Sequence, residues 1–415
     1  MKMVLFSVVL SILFVGCSNQ VVKESCLIDE TALELIDNVS QAVILLPDMP
    51  HERTRNRELS HLISIMIDAN AIEMAERWIK ELSNWRAEEL STKLAIAYLE
   101  DGRTEKAEQL VKEVESLAET VMGLKSGEIK ATGEYTNFLD SHDDFRIERI
   151  KVGLAKYYLL KDEKKQAELW VEGVLPSERA AFSKASAESV SSSNYEAALA
   201  INTLLLQGEI FEGRQAGVGG MVRLHEQYYE DEEKRLDLEN RIAAATPSMP
   251  IIFRVDWALT MAETAYKHSE TESSNQFFEQ ARFLLANNEL RPRLFFPLQT
   301  NVIKMGYNIG KQELAIELSH ALYDQFYELE SGIFNIHRAD VLVACAESFA
   351  YVGLHDLAEE VYLTTTEKIV INPNSRPRVE DLTVLMRSIV KSEIEVSTAI
   401  IDGVEKIILG LGDPW

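Results

Sequence analysis

An all-α fold is predicted for this 415-residue chain, and three observations predict it. From about Thr31 onward, apolar residues recur at spacings of three and four, the period that lays one face of a helix on a core. The alternation of β-branched and polar residues that marks a strand is scarce, and residues 203–206 and 251–253 come nearest to it. One short pattern also returns along the chain: two small residues twelve positions apart, with a turn former between them.

In chain order, Met1-Lys2-Met3 supplies one positive side chain, and residues 4–15 form an apolar run interrupted only by Ser7 and Ser11. That order matches an export signal. The run is about 12 residues, short of the roughly 20 helical residues that a hydrocarbon core requires, which argues against an ordinary transmembrane anchor. It ends in Phe14-Val15-Gly16-Cys17, which resembles the bacterial lipoprotein box, with Phe14 in place of that family's usual leucine. The resemblance implies that residues 1–16 are a signal peptide and that Cys17 is the lipid-attachment residue. Residues 17–30 would then be a tether, with the membrane touched through the acyl chains alone. Ser18 stands where an aspartate would favour the inner membrane, so the implied address is the outer membrane, facing the periplasm.

The recurring pattern reads Leu94-Ala95, Tyr98, Gly102, Ala107, Val111, and again Leu154-Ala155, Tyr158, Asp162, Ala167, Val171. It returns as Cys345-Ala346, Phe349, Gly353, Ala358, Tyr362, and more loosely as Met261-Ala262, Ala265, Ser269, Ser274, Phe278. Fainter copies pass through Asn70 and Ala75, Ser192 and Ala197, and Gly310 and Ala315. A small residue on each of two helices lets their axes approach, an aromatic fills the space beside them, and Gly or Asp reverses the chain. This spacing resembles the tetratricopeptide repeat, two helices in about 34 residues. The likeness spans most of residues 56–370 at uneven intervals, with the family's early tryptophan and closing proline mostly missing. It implies an α-solenoid of antiparallel helix pairs with degenerate repeats, in which first helices line a concave face. By that resemblance Ile96, Lys156, Glu263 and Glu347, with Tyr266 and Tyr351 one turn further on, form the candidate partner face.

Breaks in the pattern divide the array. Residues 31–120 are N-terminal repeats and 121–145, with Gly123, Gly127 and Gly133, are a connection. Middle repeats occupy 146–246. Pro247 and Pro250 open the C-terminal repeats over 247–372, since proline breaks a helix interior. Residues 373–415 hold two helices expected to cap the exposed apolar end.

Composition and motifs narrow the function. A net charge of −25 repels phosphate backbones, which argues against nucleic acid as a partner. Cys26 and Cys345, the cysteines beyond Cys17, leave a disulfide open, though Cys345 sits on an apolar helical face. Asp140, His142, Asp143 and Asp144 lack the spacing of a calcium loop and read as a solvated loop rather than a metal site. The glycines from Gly213 to Gly220 follow a helical stretch and precede no P-loop lysine, so they mark close helix packing or a flexible turn. His51 and His61 are too far apart to share a metal on one helical face, and residues 230–233 form a solvated acidic face. No serine elbow or paired zinc histidines occur, and no catalytic residue or cofactor is expected. The leading expectation is a non-enzymatic scaffold that binds a protein or peptide in the cell envelope. The alternative is a helical hydrolase or glycan-binding lipoprotein, which needs a deep pocket with two carboxylates and aromatic platforms. Shape separates them: an open superhelical groove favours the scaffold, and a closed toroid with central acids favours the enzyme.

Overall fold

The computed structural model describes residues 30–46, 48–126, 143–191 and 194–411. Among them the chain forms nineteen α-helices and no strand. The first part runs α1 (Glu30–Ile44), α2 (Asp48–Asp68), α3 (Ile72–Ile79), α4 (Arg86–Glu100), α5 (Thr104–Ser126), α6 (Asp143–Leu160) and α7 (Lys164–Val171). The middle holds α8 (Pro176–Ser191), α9 (Tyr195–Gln207), α10 (Phe211–Gln227) and α11 (Glu232–Ala245). A 3-10 turn over Thr246–Ser248 leads to α12 (Ile251–Lys267), α13 (Thr271–Ala286), α14 (Pro292–Asn308) and α15 (Gln312–Leu329). The chain ends in α16 (Asn335–Tyr351), α17 (His355–Val370), α18 (Ser375–Ser392) and α19 (Thr398–Leu409). Both strand-like stretches are helical, inside α9 and α12. None of these helices is long and apolar enough to cross a membrane.

The turn formers of the repeating pattern are where first helices stop. Asn70, Gly102, Asp162, Ser269, Gly310 and Gly353 all take left-handed backbone, with φ from 58° to 83°. At each, the following amide donates to the carbonyl five residues back, as Arg103 N does to Tyr98 O at 2.8 Å and Leu354 N to Phe349 O at 2.9 Å. The turn residue's own amide donates three back, as Gly102 N does to Leu99 O. This is the Schellman closure, which satisfies carbonyls the helix leaves bare and sends the chain back along its partner. The small residues lie where partner helices cross: Ala95 and Ala107, Ala155 and Ala167, and Ala346 and Ala358 are all fully buried. In α9 the pattern is one residue off, because Ala198 is the buried alanine and Ala197 is only half-buried.

Tertiary packing arranges the helices in two layers. First helices pack on one another in sequence, α2 on α4, α4 on α6, and so on through α8, α10, α12, α14 and α16 to α18. Then α18 packs on α2. Helices α3, α5, α7, α9, α11, α13 and α15 pack chiefly on the first helices beside them. A layer whose members touch in an unbroken cycle has the smaller circumference, so these nine helices are the inner wall of a closed ring. Nine helices about 9 Å apart make a circle about 26 Å across between axes, leaving roughly 15 Å between helix surfaces. The core is the apolar seam between layers, and one cluster joins Leu59 and Ile63 of α2 to Leu382, Leu385 and Ile389 of α18.

Three expectations are corrected here. Residues 373–415 are not a cap with a solvated face: α18 is inserted between α16 and α2 and further covered by α1, while α19 lies on α17. The expected concave face of an open array is instead the wall of a lumen. The connection expected over 121–145 begins later, since α5 continues to Ser126.

A β-carbon at Gly353 meets nothing within 4 Å, so Gly353→Ala changes only backbone strain. It is expected to lower stability by about 1–2 kcal/mol, whereas Asp162→Gly relieves the same strain and leaves stability equal or higher; urea denaturation checks both. Closure is checked by a short bifunctional maleimide, which should join Arg57→Cys to Glu380→Cys within a single chain.

Candidate functional site

Polar side chains bridge the seams between successive inner helices all the way round. Lys93 of α4 reaches Asp68 of α2 at 2.7 Å. Arg149 of α6 stands 3.6 Å from both Glu89 of α4 and Glu178 of α8. Arg223 of α10 pairs with Glu188 of α8, and Lys267 of α12 lies 3.6 Å from Glu226 of α10. Asn301 of α14 donates to Asp256 of α12 at 3.3 Å. Glu347 of α16 takes Lys304 of α14 at 2.8 Å and Lys391 of α18 at 3.2 Å. Arg57 of α2 with Glu380 of α18 completes the cycle. Pairs open to water contribute little each, on the order of 0–1 kcal/mol, so the ladder sets register more than it adds stability.

The wall is enclosed without being sealed. Glu89 keeps 36% of its side-chain surface accessible, yet burial pushes its carboxyl above the usual range despite Arg149. Burial raises Asp256 against the Asn301 hydrogen bond, and raises Asp340 against Arg293 and His337. At Glu347 burial acts in the same direction, but the Lys304 and Lys391 ammoniums outweigh it and hold the carboxyl low.

The residues expected to face a partner all sit on inner helices, in different states. Ile96 is half-buried against the main apolar cluster. Glu263 pairs with Lys267 at 3.3 Å, and Tyr266 is 41% exposed. Glu347 belongs to the ladder, and Tyr351 donates to Asn308 Oδ1 at 2.7 Å with its ring against Tyr307. Lys156 makes no ion pair among the described residues; burial and then the neighbouring Lys184 lower its pKa. Sequence reading missed Lys184, Arg223 and Asn202, which gather beside the glycine-rich helix α10. The glycines themselves were the available signal.

Other motifs resolve simply. Residues 213–220 are helical, and a β-carbon at Gly217 would stand 2.6 Å from Asn202 O, so these glycines serve close packing against α9. Cys345 is buried with its Sγ 3.9 Å from Leu322 O, and burial pushes its thiol up. Asp231 caps α11, accepting from Lys234 N at 3.2 Å, and Glu230 binds His268. Trp78, Trp85, Trp170 and Trp257 are each buried within their own part of the ring rather than grouped as a platform. No group of three or more metal-ligating side chains occurs among the described residues. Cys17, Cys26, Asp140 and His142 lie outside the described residues.

No protein-family model matches the chain, and no curated protein does. Among solved structures, it is similar to a "Circular tandem repeat protein with novel repeat topology and enhanced subunit contact surfaces", 15% identical over 92% of this chain and 97% of that one, at a TM-score of 0.24. A superposition that poor carries no argument, and the ring stands on its own contacts.

One buried acid gives a pH signature. Asp381 of α18 is 4% exposed and accepts from Asn372 Nδ2 at 2.5 Å. Burial, with Asp340 and Glu380 adding repulsion, pushes its pKa up to about 8. The folded state therefore binds a proton that the unfolded chain, with an aspartate near 3.9, releases. This contribution is fully present below about pH 4 and is lost as pH rises through about 8. Asp381→Asn is expected to flatten the decline in melting temperature across that window.

Proposed function

We propose that this chain is an exported, lipid-anchored helical ring that holds a protein or peptide partner on the lumen side of its inner helices. The observation that carries the reading is the inner wall itself. It is a continuous polar surface of nine helices whose acids are mostly spent on neighbouring helices rather than converging on one point. A wall stiffened in this way presents a preformed surface, which lowers the ordering cost of binding. The anchor rests on Cys17 at the end of its apolar run, and the residues between Cys17 and α1 would serve as a spacer.

A helical hydrolase is the second reading, and closure of the ring favours it. Asp340 and Asp381 are neighbouring carboxylates, both raised by burial. Against it, Asp381 is almost inaccessible and Asp340 is held by Arg293 at 2.8 Å.

Capture of partners from envelope extracts tests the leading reading. Charge reversal by Lys156→Glu together with Glu263→Lys is expected to reduce capture severalfold with the fold intact, and unchanged capture rejects this face. In the same preparation, mass spectrometry of the mature N-terminus is expected to find an acylated Cys17; an unmodified Cys17 or a retained Met1 rejects the anchor.

A further inference from the structure

First helices run in one direction and their partners in the other, so the ring has two unlike ends. One carries the left-handed turns from each first helix to its partner, and the other carries the connections onward to the next pair. The six most exposed large apolar side chains among the described residues are Leu45, Leu169, Leu204, Phe283, Phe334 and Leu409, at 62–84% exposed. Every one lies within a helical turn of the connection end. Ser375 Oγ donates to Leu411 O at 3.0 Å, which fixes the end of α19, with Leu409, beside the start of α18. At the turn end the most exposed is Leu160, at 56%.

Charge divides the same way. Lys80 follows α3, Arg179 and Arg254 lie in the first turns of α8 and α12, and Arg291 precedes α14. None of these four makes an ion pair among the described residues, in a chain with 67 acids against 42 bases. Acids gather at the turn end instead, in Asp101, the run Glu230-Asp231-Glu232-Glu233, and Asp356. The apolar tips stand on different helices from α7 round to α19 and α1 rather than in one patch, so only a flat partner touches them together. An anionic bilayer is flat, takes apolar side chains into its interface, attracts unpaired cations and repels an acidic end.

We propose that the connection end of the ring docks on an anionic phospholipid surface, its Leu and Phe tips entering the interface while Lys80, Arg179, Arg254 and Arg291 face the head groups. This contact adds to the acyl chains on Cys17 and does not depend on them. α1 begins at the turn end, but residues 18–29 extend to about 40 Å, whereas a 17-residue helix such as α10 rises about 25 Å. An anchor leaving the turn end therefore reaches a bilayer beneath the other end. The lumen-facing residues tested by partner capture take no part.

Co-sedimentation of the full chain carrying Cys17→Ser and Cys26→Ser, with vesicles of phosphatidylcholine and phosphatidylglycerol in equal parts, tests the contact without acylation. The apolar run of residues 4–15 is common to every variant, so differences between variants report the ring. Leu204→Glu with Phe334→Glu is expected to weaken binding about tenfold or more, through loss of two immersed apolar side chains. Lys80→Glu with Arg291→Glu should do likewise on these vesicles, and Leu160→Glu at the turn end should change nothing. All are surface positions, and circular dichroism confirms the helices. With Cys345 buried, an environment-sensitive fluorophore on Phe334→Cys should brighten and shift to the blue on vesicles, and one on Asp356→Cys should not. The proposal is overturned if both fluorophores respond alike, or if the Leu204→Glu, Phe334→Glu chain binds as well as its parent. It is overturned too if vesicles leave the Phe334→Cys label unchanged while sedimentation velocity finds a dimer that Leu204→Glu dissolves, which makes the partner a second copy.

Discussion

A helix pair in a stacked array buries apolar surface against the pair on either side, so an open array always ends in two uncovered faces. This chain meets that constraint by bringing its ends together: α18 packs on α2, and Leu382, Leu385 and Ile389 join the same apolar cluster as Leu59 and Ile63. Everything else in the architecture follows from that contact. The first helices become an inner wall, their partners an outer one, and the apolar seam between them has no free end.

Closure also dictates how charge is used. Nine helices on a small circumference crowd their inward faces, and a strongly acidic chain would repel itself there if its carboxylates stood unopposed. The cations are therefore placed at the seams, as Arg149 between Glu89 and Glu178, and Lys304 with Lys391 on Glu347. Where no cation is supplied, burial governs instead, and Asp256 carries only an amide from Asn301. Lys156 forms no ion pair among the described residues, although Glu188, Glu178 and Glu89 lie near enough to act on it.

For function, the ring moves attention from a concave groove to a lumen and its recesses. A groove accommodates chains of any length, whereas a lumen roughly 15 Å wide admits an extended segment or small molecules. At the α8–α10 seam, the glycines of α10 are what permits α9 to pack so tightly.

Much of this fold was legible in the sequence, because its repeats encode local geometry. The left-handed turns at Gly102, Asp162, Ser269 and Gly353, and the buried alanines twelve positions apart, are properties of a few neighbouring residues and of helix period. In α9 the pattern slipped by one residue, since Ala197 and Ala198 are both small and only packing against the facing helix selects between them. The inner position of Lys156, Glu263 and Glu347 was also readable from the repeat, but whether each is free or paired was not. Ring closure lay beyond the sequence altogether, because it joins Arg57 to Glu380 across most of the chain, and the small angle each pair adds to the turn is set by packing. The unpartnered Oδ1 of Asn202 is likewise a tertiary fact. Its burial arises from α9 approaching glycines in α10, and no period or motif records what a side chain will fail to meet.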